Sequence, residues 1–543
     1  MTTIIVGGGI LGLSTAFYLS TAHSSHRPKQ IIVVDPARRL FTCASGRGAG
    51  FISRSWYSRA SSSLGELSFV LHAELAEIFD GKNNWGYRPS QAFSVCPRDE
   101  VDALGPEEYQ RLKRLRLRKQ YEQRALYFED NPSRTSQQDF VWNDDLNEEQ
   151  MIFTAEPDPP DWLFCDEDNS FCISDKGECA QINPLQLCEF LLQECIKNGV
   201  RVMNPCQLAS ISIDHQGLLQ HAVIRNLHTQ QSEVFKDIDS IVIAAGAWSP
   251  SVFQNLFPQA SFVPAISSLS GFSMIVTSPL SQYTGPPPSS ASNASSSSSA
   301  SSPSLFGDHK LDESDEDIED TAEQTNEDDD NDNEVINLSD IDLDPIRSAL
   351  FVRSSIYSRW SPEIFSRSNG EIYIAGINEH GFHGTQMAMA PDPSTLSESS
   401  TATQSIRTRL ESTYKAERAA QTLFDESSGS ESDSSKWTYN SGQIAPAIST
   451  DKFKALEKVA QSLLGPEIKV MKRSVCVRPV TPRGEPIIGL VHPDHVCGAK
   501  RVFMNSGHGA WGISLCLGSG KVVTELITEG VARSAEISKL SPI

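Results

Sequence analysis

Thr2 to Val6 is an unbroken apolar-leaning run, and the glycine-rich stretch Gly7-Gly8-Gly9-Ile10-Leu11-Gly12 follows it directly. A continuous run stopped by a turn signal predicts a strand buried on both faces, and the residues beyond it predict a helix from Leu13 to about Leu19. Ile31-Ile32-Val33-Val34 is a second such strand and ends in Asp35. Helical spacing recurs over Leu64–Phe79 and over Leu185–Asn198, where Gly199 supplies a C-cap. Short strands are predicted at Val200–Val202, Leu208–Ile213 and Ala222–Asn226. Asp239 to Ser249 is another apolar strand, and it ends in small residues. Trp360 to Arg367, Asn369-Gly370 and Glu371 to Gly376 predict an edge segment, a hairpin turn and a strand. Glu107–Arg124 and Ile406–Phe424 are charged helix candidates, and Asp130–Asp161 is polar and irregular.

The pattern fails in two places. Pro286–Ser304 is Pro/Ser low complexity and Gly307–Asp344 is acidic, so residues 280–345 cannot bury enough apolar surface to offset ordering and are expected to be disordered. Residues 391–405 and the acidic serine tract 425–435 form a second break, whose serines are candidate kinase substrates. The net charge of −23 is mostly local, because Asp308–Asp344 alone holds eighteen acids and one lysine. No basic stripe with interleaved aromatics appears, which argues against nucleic-acid binding. Eleven cysteines lie scattered without a metal-ligand rhythm. With a strand-forming N-terminus and no apolar run long enough to span a bilayer, they suggest reduced thiols and a cytoplasmic location.

Candidate chemistry gathers at four motifs. Gly7, Gly9 and Gly12 fall on the G-x-G-x-x-G spacing, which permits a tight turn, a close pyrophosphate and close helix packing. Ile10 and Leu11, leading into the helix N-terminus, would lie at the phosphates, and Asp35 would accept from a ribose hydroxyl. Ala44-Ser45-Gly46-Arg47-Gly48-Ala49-Gly50-Phe51 is a tight loop carrying one cation. The strand at Ile241–Ile243 runs into Ala244-Ala245-Gly246-Ala247-Trp248, and Asn505-Ser506-Gly507-His508-Gly509-Ala510-Trp511-Gly512-Ile513 is a second glycine turn. His380 and His383 lack a third ligand at metal spacing, so no metal site is expected.

Together these motifs resemble the FAD-dependent oxidoreductases of the D-amino-acid oxidase, glycine oxidase and sarcosine oxidase superfamily, and most closely an uncharacterised fungal branch of it. Ser474 to Gly489 is similar to the family's Arg-Pro-x-Thr-x-Asp-Gly-x-Pro-x-Ile-Gly pattern, with Arg483 where an acid is usual. The resemblance implies an α/β fold: a Rossmann-type FAD-binding domain built from both chain ends, with an inserted, mostly antiparallel β substrate domain and disordered acidic insertions. The corresponding divisions are 1–60 and 476–543 for the FAD domain, and 61–180 for substrate-domain and helical elements. Residues 181–278 continue the FAD part into the substrate sheet, 346–390 are substrate sheet and 438–475 substrate domain. The insertions are 280–345 and 391–437, the latter with one helix.

By the same resemblance, Ser45, Gly46, Arg47 and Gly50 contact the flavin, Leu208 lies near the adenine, and Ala245, Gly246 and Trp248 line the cofactor. Gly507, His508, Gly509, Trp511, Gly512 and Ile513 form a turn that opens a helix toward the flavin N1/O2 edge. Arg478 would hold a substrate carboxylate, and His508 is the second catalytic candidate. Cys476, five residues before Thr481-Pro482, stands where some relatives attach flavin covalently, although non-covalent FAD is favoured. The implied reaction is hydride transfer from the C–N carbon of an amine or amino acid to flavin N5. Phe365 replaces a tyrosine of the branch pattern and removes a hydroxyl. The rival reading is a flavoprotein with little turnover, acting as a regulatory partner in membrane traffic at the edge of endosomal membranes. Val335–Asp340 resembles a SUMO-interacting motif, which would add a strand to a partner sheet.

Overall fold

The computed structural model describes residues 2–24, 27–95, 163, 170–279, 348–352, 361–367, 370–380 and 450–542. All of them belong to one compact unit, residues 1–283 with 342–543. The charged helix candidates, the stretches 130–161, 280–345, 391–405 and 425–435, the motif Val335–Asp340 and His383 lie outside the described residues.

The first half of the chain supplies β1 (Thr2–Val6), α1 (Ile10–Thr21), β2 (Gln30–Val34), α2 (Ala44–Arg47), β3 (Phe51–Ser53), α3 (Ser62–Ile78), α4 (Gly81–Asn84) and β4 (Arg88–Val95). It continues with β5 (Ser170–Cys172), β6 (Cys179–Gln181), α5 (Pro184–Lys197), β7 (Arg201–Met203), β8 (Cys206–Ile213), β9 (Leu219–Asn226), β10 (Ser232–Lys236) and β11 (Ile238–Ile243). Then come α6 (Ser249–Leu256), β12 (Ser267–Thr277), β13 (Ser348–Val352), β14 (Glu363–Ser366) and β15 (Ile372–His380). The C-terminal part holds α7 (Thr450–Leu464), β16 (Lys469–Val480), β17 (Ile487–Leu490), β18 (Val502–Ser506) and α8 (Cys516–Thr528).

Six strands form one sheet in the order β17-β18-β11-β1-β2-β7. It is parallel except for β17, which runs antiparallel to β18. Alternate residues of β1 explain its unbroken apolar run. Ile5 packs with Leu13 and Phe17 of α1 and with α5 and α8, whereas Ile4 and Val6 pack with Phe253 of α6 and with β8 and β9. Both faces are buried, so no polar alternation survives. β8, β9 and β10 make a small antiparallel sheet beside it.

The third sheet runs β16-β12-β15-β14-β13-β4-β6-β3, with β5 paired to β4. It is antiparallel apart from the β13–β4 pair. One face is closed by α7, whose Phe453, Leu456, Val459 and Leu463 pack on Phe272, Met274, Ile374 and Val475. The other carries an aromatic cluster of Phe51, Phe351, Phe365 and Tyr373.

Several sequence expectations shift by local causes. α1 begins at Ile10 rather than Leu13, because extended Gly9 caps it and the helix opens directly from the glycine turn. α5 begins at Pro184, which has no N–H to leave unsatisfied, and Asn183 Oδ1 accepts from Gln186 N at 3.4 Å. Gly199 ends it at φ +83°, as a left-handed cap requires. β3 joins the third sheet rather than the N-terminal nucleotide domain, and β16 runs unbroken across the 475/476 division.

Candidate active site

The nucleotide turn is set by backbone contact. At Gly7, with φ +117°, a Cβ would lie 2.3 Å from the Ala244 carbonyl oxygen; at Gly12 it would lie 1.9 Å from the Gly7 carbonyl oxygen. Only glycine fits either place, so β1, α1 and β11 meet more closely than side chains permit. A Cβ on Gly9 would sit 2.9 Å from Ser45 Oγ. Ser45 Oγ accepts from Ile10 N at 3.0 Å, so this first-turn amide is already bonded. The serine hydroxyl keeps its own proton for a further acceptor, and Leu11 and Gly12 follow on the same turn. Asp35 accepts from Gly8 N at 2.7 Å and Ala37 N at 2.8 Å. Burial raises its carboxyl above the ordinary range, and those two amides work against the rise.

The 44–50 loop is pinned from both sides. Gly46 and Gly50 pass against the carbonyl oxygens of Phe41 and Ile182, where a Cβ would come within 2.2 and 2.0 Å. Arg47 Nη1 donates to the Val475 carbonyl of β16 at 2.9 Å, and Tyr373 Oη donates to the Arg47 carbonyl at 3.0 Å. Arg47 thus ties the loop to the third sheet. Leu208 points into the core beneath β8, so only its backbone is available to an adenine.

The open ends of β11 and β18 lie together. Ser506 Oγ donates to the Gly246 carbonyl at 3.0 Å and is itself 3.0 Å from Ser249 Oγ. Gly246 has φ +57° and open space where its Cβ would be. Behind Gly507, with φ +85°, His508 bridges to Val480 at the end of β16. His508 Nε2 lies 2.9 Å from Ser519 Oγ. Burial holds the imidazole down to about 3, so it is neutral at physiological pH. Gly509–Trp511 is a 3-10 turn, and α8 starts only at Cys516. The expected helix therefore does not open at the glycine turn, because residues 512–515 continue as turn. Trp511 stacks edge-on against Tyr57 at 4.9 Å, Gly512 lies beside His508, and Ile513 abuts Gly48.

β16 is the hub. The turns Ala44–Arg47, Gly246–Trp248 and Gly509–Trp511 all pack against it. Gly271 of β12 faces Cys476, and the Arg478 side chain lies flat across that glycine: a Cβ there would be 2.9 Å from Nη2. Arg478 Nη1 reaches Asn378 Oδ1 of β15 at 3.4 Å. Burial alone would lower the guanidinium's basicity, but Cys476, Tyr373 and Glu363 around it more than reverse that. Phe365 packs among Phe51, Phe351 and Tyr373 and leaves the hydroxyl of this cluster to Tyr373. His380 only ends β15.

A flavin dinucleotide fits this chemistry. The glycine cradle follows β1, the acid follows β2, and Gly246 and Gly509, both at φ +57°, sit on turns that pack against β16. Trp248 Nε1 and His508 Nδ1 are buried on those turns with no hydrogen-bond partner, as expected of atoms that face a bound group. Sequence reasoning missed Ser249, Ser506, Asn378 and Glu363. A serine beside a glycine motif gives no signal in one dimension, and the last two acquire meaning only through strand register.

Fold and glycine turns together define a dinucleotide-binding α/β protein. The chain belongs to the FAD dependent oxidoreductase family (DAO), whose model matches residues 2–388 and 360–526, and FAD is its cofactor. The provisionally named oxidoreductases C1F5.03c of Schizosaccharomyces pombe and TDA3 of Saccharomyces cerevisiae are 39% identical over 92 residues and 38% over 112. Those matches cover 17% and 20% of this chain, and only 24% and 20% of the relatives' own lengths. Among solved structures, glycine oxidase from Geobacillus kaustophilus aligns with TM-score 0.55 at 14% identity, covering 99% of this chain and 97% of that one. L-amino acid deaminase from Proteus vulgaris aligns with TM-score 0.55 at 13% identity, covering 99% and 96%. FAD-bound L-alpha-glycerophosphate oxidase from Mycoplasma pneumoniae aligns with TM-score 0.51 at 11% identity, covering 98% and 96%. These likenesses carry the fold. Among the described residues no helix is long and apolar enough to cross a membrane.

Proposed function

We propose that the protein oxidises the C–N bond of a small amine or amino acid at the face of β16 that carries Arg478. The observation behind this reading is the placement of that guanidinium. It is laid across Gly271 and steadied by Asn378, on the strand against which the three cofactor turns pack. FAD, when bound, supplies the acceptor for the hydride that leaves the carbon beside nitrogen.

The chain's own residues do the rest. Gly7, Gly9, Gly12 and Ser45 would hold the pyrophosphate, and Asp35 the ribose. Gly246, Trp248, Gly507, His508 and Gly509 would line the ring. Arg478 orients the substrate, and the cluster of Phe51, Phe351 and Phe365 keeps water from the reacting carbon. Neutral His508 offers Nδ1 as a hydrogen-bond partner to the ring edge, without a charge to titrate near neutral pH.

FAD is taken as non-covalent, with Cys476 turned to Arg478 on the same strand face. Acid precipitation of the purified protein tests this: the yellow colour is expected in the supernatant, and colour in the pellet would assign a covalent bond. The catalytic reading is tested by anaerobic addition of a panel of secondary amines and amino acids. At least one should bleach the flavin absorbance at a saturable rate, and Arg478→Met should raise its half-saturation. A panel that leaves the spectrum unchanged throughout would overturn the reading.

A further inference from the structure

Arg478 shares its face of the third sheet with other cations. Along β16, Val475 and Val477 pack with α7, so alternation puts Lys472, Cys476 and Arg478 on the opposite side. Ile275 of β12 stands in register with Lys472 on one side and Tyr373 on the other. Over Tyr373 lies Arg367, just past β14, with Cζ 5.1 Å from the ring centroid. Its Nη2 donates to the Gly48 carbonyl at 3.3 Å. Tyr373 Oη in turn donates to the Arg47 carbonyl at 3.0 Å. Arg47, Arg367 and Lys472 thus gather around one tyrosine, beside the loop that carries Gly48.

These charges are not matched. Arg473, on the other face, pairs with Glu457 of α7 at 3.1 Å, whereas among the described residues neither Arg367 nor Lys472 makes an ion pair. Glu371 acts on both of them and Glu363 acts on Arg478, so two acids stand against Arg47, Arg367, Lys472 and Arg478. Burial lowers the basicity of the Arg367 guanidinium, and partial burial together with the charges of Arg47 and Arg367 lowers that of Lys472. Arg367 Nε is buried and has no hydrogen-bond partner. Buried N–H groups are almost always paired, so an arginine N–H aimed into an enclosed spot calls for an acceptor. A neutral acceptor satisfies that N–H alone. An anion also relieves the repulsion among the gathered cations and gains charge-assisted bonds.

Taking this face as the substrate site, as proposed above, we infer that Arg367 and Lys472 form a second anion subsite on it, so that the substrate carries a carboxylate or phosphate remote from the oxidised C–N bond. Arg478 takes the near carboxylate of such a molecule. Arg367 offers its Nε–H to the distal anion, and Lys472, exposed on the last strand of the sheet, offers an ammonium from the solvent side.

The test titrates the FAD-loaded, full-length protein with malonate, succinate, glutarate and adipate, following the flavin absorbance bands. Each diacid is set against the monoacid that has a methyl in place of one carboxylate: propionate, butyrate, valerate and hexanoate. In the wild type one chain length should bind at least about tenfold more tightly as diacid than as monoacid. Arg367→Gln and Lys472→Gln should each bring that ratio down toward one. A ratio near one at every length would overturn the inference, and so would a ratio that neither variant changes. If Arg367→Gln fails to load FAD, Lys472→Gln and the wild type decide. Monoacid binding that tightens as much in added inorganic phosphate as on passing to the diacid would assign the spot to a free anion and refute the substrate role. The two readings fail separately. Diacid-selective shifts without turnover of any amine would remove only the proposed reaction. Turnover indifferent to a distal acid, with KM unmoved by Arg367→Gln, would remove only the second subsite.

Discussion

Gly271→Ala isolates the arginine's position from its charge. The added Cβ would lie 2.9 Å from Arg478 Nη2, 3.1 Å from Cζ and 3.3 Å from Nε. No backbone atom is among these nearest neighbours, so the far end of one flexible side chain takes up the clash. An alanine inside a strand is itself favourable over glycine by about 0.5–1 kcal/mol. Stability should therefore stay within about 1 kcal/mol of wild type, a shift of a few degrees at most. The guanidinium must move by several tenths of an ångström, and its 3.4 Å bond to Asn378 has no slack to follow. A bound carboxylate that loses one charge-assisted hydrogen bond to the displaced guanidinium loses about 1.5–3 kcal/mol, so its half-saturation should weaken roughly tenfold to a hundredfold. The assay pairs thermal melting with titration of the flavin bands by a small α-amino acid and with KM for any amino acid turned over. An unchanged half-saturation with a normal melt would refute the placement of Arg478 at the substrate, as would a collapse of the fold with no effect specific to ligand.

Three further outcomes follow from the same structure. Gly12→Ala sets a Cβ 1.9 Å from the Gly7 carbonyl oxygen, which is backbone and cannot swing away, so the purified variant should carry little or no FAD by absorbance ratio. His72 and His508 are held by burial at about 4 and about 3, below the unfolded value, so the unfolded chain takes up protons first. Stability is whole above about pH 6.5 and lost as pH falls toward 4, by about 3 kcal/mol from His72 alone; Asp35, raised by burial, opposes this loss in the carboxylate range. Urea midpoints at pH 7 and pH 5 should show the loss, and His72→Gln should flatten it. Deleting 280–345, the Pro/Ser-rich and acidic stretch that lies outside the described residues, should leave FAD content and turnover intact; loss of FAD on deletion would contradict that expectation.

What the sequence made legible was local. Gly7 and Gly12 of the nucleotide turn announce themselves because each is forced by a contact with the neighbouring strand or within a few residues. The unbroken apolar runs of β1, β2 and β11 signal a parallel sheet because both of its faces are covered. The helix at Pro184 was readable from its own cap and stop signals. The turn at Gly507–Gly509 misled, because a glycine pair opens a 3-10 turn as readily as an α-helix, and the choice is made by Val480 bridging from β16. Least legible was the burial of charged groups within the third sheet. Arg478 announces itself through its motif, but Glu363 looks like any strand-edge glutamate. It is buried only because β14 is paired on both sides, by β13 and by β15. Phe365 likewise reads as a lost hydroxyl, and in the fold it is a fully packed member of an aromatic cluster.

The central claim, oxidation of an amine at the β16 face by bound FAD, is met most directly by one anaerobic experiment on the purified full-length chain. Its flavin absorbance is recorded before and after adding secondary amines, for the wild type and for Arg478→Met. The protein should be yellow, with bands that bleach in the wild type and bleach only at much higher amine concentration in the variant. A colourless protein that cannot be reconstituted with FAD, or bleaching indifferent to Arg478, would contradict it.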